Sequence, residues 1–227
     1  MVAKNYFESL EREFQRNANQ KNAFFMKKYM KDKFEYFGIK TPKRRELLKA
    51  FLKEFGKPSN EDLKKYIKYL WNKPQREFQY AALNLLDNSK KYIYRELIDF
   101  LEYLITTKSW WDTVDGIASN HVGLLFSKFP ELIKPYTEKW MNSGNIWLQR
   151  TVILFQLKYK EKTDEKLLYK YIKELSSADE FFIQKAIGWT LREYSKTNPE
   201  SVEKFIGINK LAPLSVREGM KIINKQK

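Results

Sequence analysis

Three charges stand alone in otherwise uncharged helical stretches. Asp115 is the sole charged residue between Thr113 and Ser127, Arg150 between Ile146 and Leu157, and Lys185 between Phe181 and Leu191. Their spacing is 35 and then 35 residues. A lone charge on an apolar helix is costly unless it meets solvent or a partner. Trp111 precedes Asp115 by four residues and Trp189 follows Lys185 by four, each one helical turn away on the same face. A carboxylate between two indoles in basic surroundings suits a substrate with phosphates outside and a developing cation inside. N-glycosidic cleavage is such a reaction, because its transition state resembles an oxocarbenium ion that an ionised Asp stabilises. Arg150 then has two possible jobs: holding a phosphate, or pairing with Asp115 as a bridge between repeats.

The segment SWWDTVD (109–115) separates its two acids by role. Ser109 followed three residues later by Asp112 fits a helix-start capping box, which gives Asp112 a structural task. Asp115 lies past that first turn and has no such task. Asp112 and Asp115 could share a metal, but no third and fourth ligands stand at a convincing spacing, and no cofactor is implied. With no Cys and a single His, His121, thiolate and multi-histidine centres are excluded. His121 reads as a packed or solvated side chain. Trp71, Trp110, Trp140 and Trp147 read as packing residues.

Elements that could position these residues repeat along the chain. EFQYAALNLL from Glu77, WLQRTVILFQ from Trp147 and FIQKAIGWTL from Phe182 align, with Gln79, Gln149 and Gln184 in register. The first gap is twice the second, so a missing member falls near residue 114. Helical periodicity is nearly continuous, strand alternation is almost absent, and Pro stands near several expected helix starts. The expectation is an all-α fold: an α-solenoid of HEAT-like helical repeats, about twelve helices, with a concave basic face. Equivalent positions would then form a row reading Tyr80, Asp115, Arg150, Lys185. No linker or shift in composition divides the chain, so one domain over 1–227 is expected.

Composition bounds the partner. Of 227 residues, 43 are Lys or Arg and 28 are Asp or Glu, a formal net charge of +15. A polyanion is expected, nucleic acid before an anionic membrane surface. Hydrophobic residues at 43% and charged residues at 31% are globular proportions. The opening MVAKNYFESLEREF is charged and lacks a signal-peptide core, and GIASNHVGLLFS is the longest uncharged run. A cytoplasmic protein with no membrane partner is expected.

TKSWWDTVD, NIWLQRTVILFQLKYK, EFFIQKAIGWTLREYSKTNP and GIKTPKRRELLK together resemble the AlkD family of alkylpurine DNA glycosylases, over most of the chain. The resemblance implies HEAT-like repeats and excision of cationic N3- and N7-alkylated purines from double-stranded DNA without base flipping. It implies that Asp115 is the catalytic carboxylate, that Trp111 and Trp189 form a cleft against the deoxyribose, and that Arg150 contacts the backbone there. Tyr29, Thr41 and Arg45 would hold the duplex, and Lys158 and Arg192 would contact further phosphates. Lys185, from its place in the row, joins them as a DNA-binding residue. A monofunctional enzyme acting as a monomer is expected. The competing reading is a non-catalytic α-solenoid scaffold for nucleic acid or an acidic protein.

Overall fold

The computed structural model describes residues 2–89 and 93–226. Among these the chain is helical with no strand, its one β feature being an isolated bridge between Glu35 and Gln75. Packing divides it into two compact units, Met1–Ile93 and Tyr94–Lys227.

The first unit holds α1 (Val2–Arg16), α2 (Gln20–Tyr29), α3 (Thr41–Phe55), α4 (Asn60–Trp71) and α5 (Arg76–Asn88). Phe7, Leu10 and Phe14 recur on one stripe of α1 and are fully buried. Phe7 stacks on Tyr69 at 5.8 Å and Phe14 on Phe78 at 5.3 Å between ring centroids. The turn into α3 is built around a buried acid. Glu77, 1% exposed, accepts the backbone N–H groups of Phe37, Gly38 and Ile39 at 3.1, 2.8 and 3.1 Å. Burial raises its pKa, and those N–H groups oppose the rise. Gly38 is required here, since its φ is +87° and a Cβ would lie 2.1 Å from the Asn19 carbonyl oxygen. The turn delivers Thr41 as the first residue of α3. Arg44 is buried over the Tyr80 ring at 4.6 Å, while Thr41 and Arg45 remain exposed.

The second unit runs through α6 (Leu97–Thr106), α7 (Trp111–Gly116), a π-helical stretch (Ile117–Val122), α8 (Gly123–Lys128), α9 (Ile133–Met141) and α10 (Ile146–Leu154). It continues with α11 (Glu165–Glu174), α12 (Phe181–Tyr194), α13 (Pro199–Ile208), α14 (Pro213–Gly219) and α15 (Ile223–Gln226). These are more segments than the dozen expected. The π-helical stretch divides one long helix, and the C-terminal helices are short.

Two rows of helices carry the repeat. In the first, Tyr136 on α9 donates to Asp99 on α6 at 2.7 Å, and the Trp140 indole N–H donates to Glu102 at 2.8 Å. Thr137 and Tyr171 share a buried bond of 2.6 Å between α9 and α11. Tyr169 and Ser201 join α11 to α13 at 3.0 Å. In the second row, α10 packs against α7, the π-helical stretch and α12, and α12 packs against α14.

The recurring glutamines have a physical cause. Gln149 donates its amide to the Met141 carbonyl at 3.0 Å, and Gln184 donates to Ala178 at 3.0 Å. In the first unit, Gln79 reaches the carbonyls of Leu70, Trp71 and Lys73. Each amide thus satisfies backbone acceptors at or just past the end of the helix before it. The repeat lacking the glutamine uses hydroxyls instead. Thr106, Thr107 and Ser109 donate to Glu102, Tyr103 and Ile105 carbonyls at 2.9, 2.6 and 2.6 Å. This corrects the capping-box expectation: Ser109 closes α6, α7 starts after Trp110, and no side chain caps it.

Gly123 continues the helix where it crosses α10, and a Cβ there would stand 2.3 Å from the Phe155 carbonyl oxygen. Helix propensity favours Gly123→Ala by about 1 kcal/mol. Overpacking against backbone costs about 1–3 kcal/mol and wins. A lowered urea midpoint is expected; a raised one would refute this account of the crossing.

Candidate active site

An aromatic triangle sets the register of three helices. The Trp110 ring lies 5.5 Å from that of Trp147 and 5.0 Å from that of Phe182, and the last two are 5.1 Å apart. These rings stand at the starts of α7, α10 and α12. The Asn145 side chain accepts the N–H groups of Trp147 and Leu148 at 2.9 and 3.3 Å, fixing where α10 begins. With the starts aligned, residues one turn further along the three helices come into register.

Asp115 and Arg150 meet at that level. Arg150 Nε donates to Asp115 Oδ1 at 2.7 Å and Nη2 to Oδ2 at 2.8 Å, a two-pronged charge-assisted contact. Arg150 Nη1 donates to the Phe182 carbonyl, which ties the guanidinium to the start of α12. Of the two roles open to Arg150, this geometry realises the pairing. Its side chain is 5% exposed and that of Asp115 is 16% exposed. Burial pushes the Asp115 carboxyl above the ordinary carboxylate range, Arg150 pulls it back, and nearby Asp112 adds a smaller upward push.

Trp111 is half-buried as the first residue of α7, one turn before Asp115. Trp189 is half-buried on α12. The helix that carries Arg150 packs against both of theirs. After Gly116 the helix widens into the π-helical stretch, within which Ser119 donates to the Asp115 carbonyl at 2.8 Å. π-Helical insertions of this kind are frequent at functional sites. His121 is buried at 3% exposure, as a packed residue. Among the described residues no group of three or more His, Cys, Asp or Glu side chains converges to hold a metal.

The remaining basic residues fall into separate groups. Lys185 and Arg192 both reach Glu218 on α14, at 3.0 and 2.7 Å. Lys221 reaches the same carboxylate at 2.7 Å. Lys221 and Lys185 hold the Glu218 carboxyl down at about 2, against its burial. Exposed Lys158 donates to Asn120 Oδ1. Tyr29, Thr41 and Arg45 are exposed in the first unit, at the end of α2 and the first turns of α3, and Tyr80 there bonds Tyr36 at 3.3 Å. Sequence reasoning missed Glu218. It lies 33 residues beyond Lys185, two short of the 35-residue spacing, so extending the row by one more repeat would have pointed to its neighbourhood.

Fold and site together define an all-α helical-repeat protein with a partly exposed carboxylate gripped by a buried guanidinium. The chain belongs to the DNA alkylation repair enzyme family, whose sequence pattern matches residues 10–223. A solved structure described as "Predicted DNA alkylation repair enzyme from Enterococcus faecalis" is 37% identical, with a TM-score of 0.84 over 92% of this chain and 97% of that one. No curated protein matches. Among the described residues no helix is long and apolar enough to cross a membrane.

Removing Arg150 tests the balance at Asp115. Arg150→Met leaves a half-buried carboxylate with its burial and Asp112 unopposed, so its pKa climbs further. A raised folded-state pKa means that stability is fully present below the unfolded value and is lost as pH rises through the folded one. The expected loss at pH 7 is about 3–5 kcal/mol. It should shrink toward pH 5 and recover in part when Asp115→Asn is added. Urea unfolding at both pH values reads this out; a loss independent of pH and of Asp115 would refute the pairing account.

Proposed function

We propose that this protein is a monofunctional DNA N-glycosylase that excises cationic N3- and N7-alkylated purines, such as 3-methyladenine and 7-methylguanine, from duplex DNA. The observation that carries the reading is the Asp115–Arg150 pair, in a chain of the DNA alkylation repair enzyme family: a carboxyl group gripped by a guanidinium in a poorly hydrated place yet 16% exposed.

In the reaction, the bond between C1′ and the base nitrogen breaks and its electron pair neutralises the positive charge on the base. The leaving base therefore needs no protonation. The sugar becomes an oxocarbenium ion, which Asp115 stabilises. Water adds at C1′ and loses its proton toward the carboxylate, which orients it. A bare carboxylate about 4 Å from the cation, at an effective dielectric of about 20, attracts it by about 4 kcal/mol. That is about three powers of ten in rate. Arg150 offsets much of this attraction, so the figure is an upper bound. What Arg150 supplies in exchange is the ionised state and a fixed direction. Trp111 and Trp189 offer ring faces to the sugar, each adding about 0.5–2 kcal/mol toward a cationic group. No lysine nucleophile is used, so no Schiff base forms and the strand is not cut. The base leaves without being flipped into a pocket.

The second reading is a duplex-binding scaffold in which Asp115 and Arg150 only tie α7 to α10. It draws on the burial of the pair, since Arg150 is 4% exposed. Asp115→Asn separates the two. The glycosylase reading expects release of 7-methylguanine from methylated duplex to fall by up to about a thousandfold with duplex affinity largely kept. Release at the wild-type rate would refute Asp115 as the catalytic carboxylate, and a wild type that binds duplex but releases no base would leave the scaffold. A pH profile gives an independent check. Because burial raises the Asp115 carboxyl, single-turnover release should fall on an acidic limb lying above the ordinary carboxylate value of about 4. A rate flat down to that value would exclude Asp115 as the ionised catalytic group.

A further inference from the structure

Gly188 lies on the same stripe of α12 as Lys185 and Arg192, between them at three and four residues' distance. A Cβ on Gly188 would stand 2.5 Å from Glu218 Cβ and 3.0 Å from the Ser215 carbonyl oxygen, so the missing side chain is what lets α14 dock. The Ser215 hydroxyl donates to the Gln184 carbonyl at 2.9 Å and fixes that docking. Gly219 completes it, with the Ile206 and Leu191 side chains 3.1 and 3.2 Å from where its Cβ would be. The result is a Glu218 carboxylate, 8% exposed, placed between two cations of another helix and joined by Lys221.

Three positive charges less one negative leave +2 at this point. The cations themselves are accessible, at 37% for Lys185, 28% for Arg192 and 48% for Lys221. An ammonium has three donors and a guanidinium five, and each of these groups sends one toward Glu218. The other donors can face a second anion. A carboxylate that anchors long basic side chains from beneath removes much of the rotamer freedom they would otherwise lose on binding.

We infer that Glu218 is the positioning residue of a clamp in which Lys185, Arg192 and Lys221 together grip a backbone phosphate of duplex DNA, and that Lys221 is a DNA contact in its own right. The inference rests on the DNA reading above. It adds two residues to that reading and gives Lys185 and Arg192 a shared site.

Glu218→Gln makes the test sharp because two effects oppose each other. The change deletes a negative charge from a DNA-binding face, so charge alone calls for tighter binding. Loss of the anchor calls for weaker binding. The clamp expects roughly fivefold weaker affinity for an undamaged duplex by fluorescence anisotropy, the worth of about one ordinary hydrogen bond. Glu218→Asp should restore most of it. Affinity equal to or tighter than wild type would overturn the positioning role. Lys221→Gln, a change at an exposed side chain, is the second arm. There the slope of log affinity against log salt should lessen by about 0.9, with an unchanged circular dichroism spectrum. An unchanged slope would overturn the contact. Measuring 7-methylguanine release on the same preparations keeps the two proposals apart. A wild type that binds duplex through the clamp and releases no base refutes the glycosylase and leaves the clamp; one with no duplex affinity refutes both.

Discussion

An acid and a base that have left bulk water together govern the second unit. Neither Asp115 nor Arg150 could be held where it is without the other, since a buried uncompensated charge costs several kcal/mol. Their bidentate contact sets the separation of α7 and α10, and the third donor of Arg150 sets that of α10 and α12. The aromatic triangle of Trp110, Trp147 and Phe182 supplies the apolar burial that the ion pair does not. Apolar packing brings the helices together, and the guanidinium, with its fixed planar fork, fixes their register.

The 35-residue spacing was legible because stacked helix pairs put equivalent residues in contact. Many bonds between successive repeats here span 32 to 38 residues, as from Tyr169–Ser201 to Lys158–Asn120. The glutamines could be read as a repeat, although what they do, closing the preceding helix through its carbonyls, could not. Spacing placed Arg150 beside Asp115 without saying whether the guanidinium turns toward the acid or toward solvent. That choice belongs to burial and to the Phe182 carbonyl, neither of which has a sequence signature. Ser109 deceived for a related reason. A hydroxyl between two helices can start one or finish the other, and here it donates to the carbonyl of Ile105.

Composition also concealed the polar interior of the first unit. Arg44, Arg76 and Glu77 are buried at 6, 0 and 1% exposure, in a chain whose net charge of +15 directs attention to its surface. Glu77 is spent on three backbone N–H groups, and Arg76 lies over the Phe34 ring at 3.8 Å. Glu77 thereby positions the turn that leads to Thr41 and Arg45. The exposed pair could be nominated from sequence by motif, but the buried ones that support it could not, because their partners lie some forty residues away.

Signs along the second row run negative, positive, positive, negative at Asp115, Arg150, Lys185 and Glu218. Two neighbouring cations in such a row would repel if both were free. The structure separates them by turning Arg150 back toward Asp115 and the Phe182 carbonyl and Lys185 forward toward Glu218. The two ends therefore differ in kind. At Asp115 one acid meets one base and the pair is close to neutral; at Glu218 one acid meets three bases and positive charge is left over. On the proposed reading a phosphate would be drawn to the second end and would gain little at the first, where it would have to displace a carboxylate already bound in two places. On the same reading Asp115 would serve a centre that is itself becoming positive. This division of charge suits a polyanion whose chemistry takes place at a sugar, and it arises from where each basic side chain finds its acid.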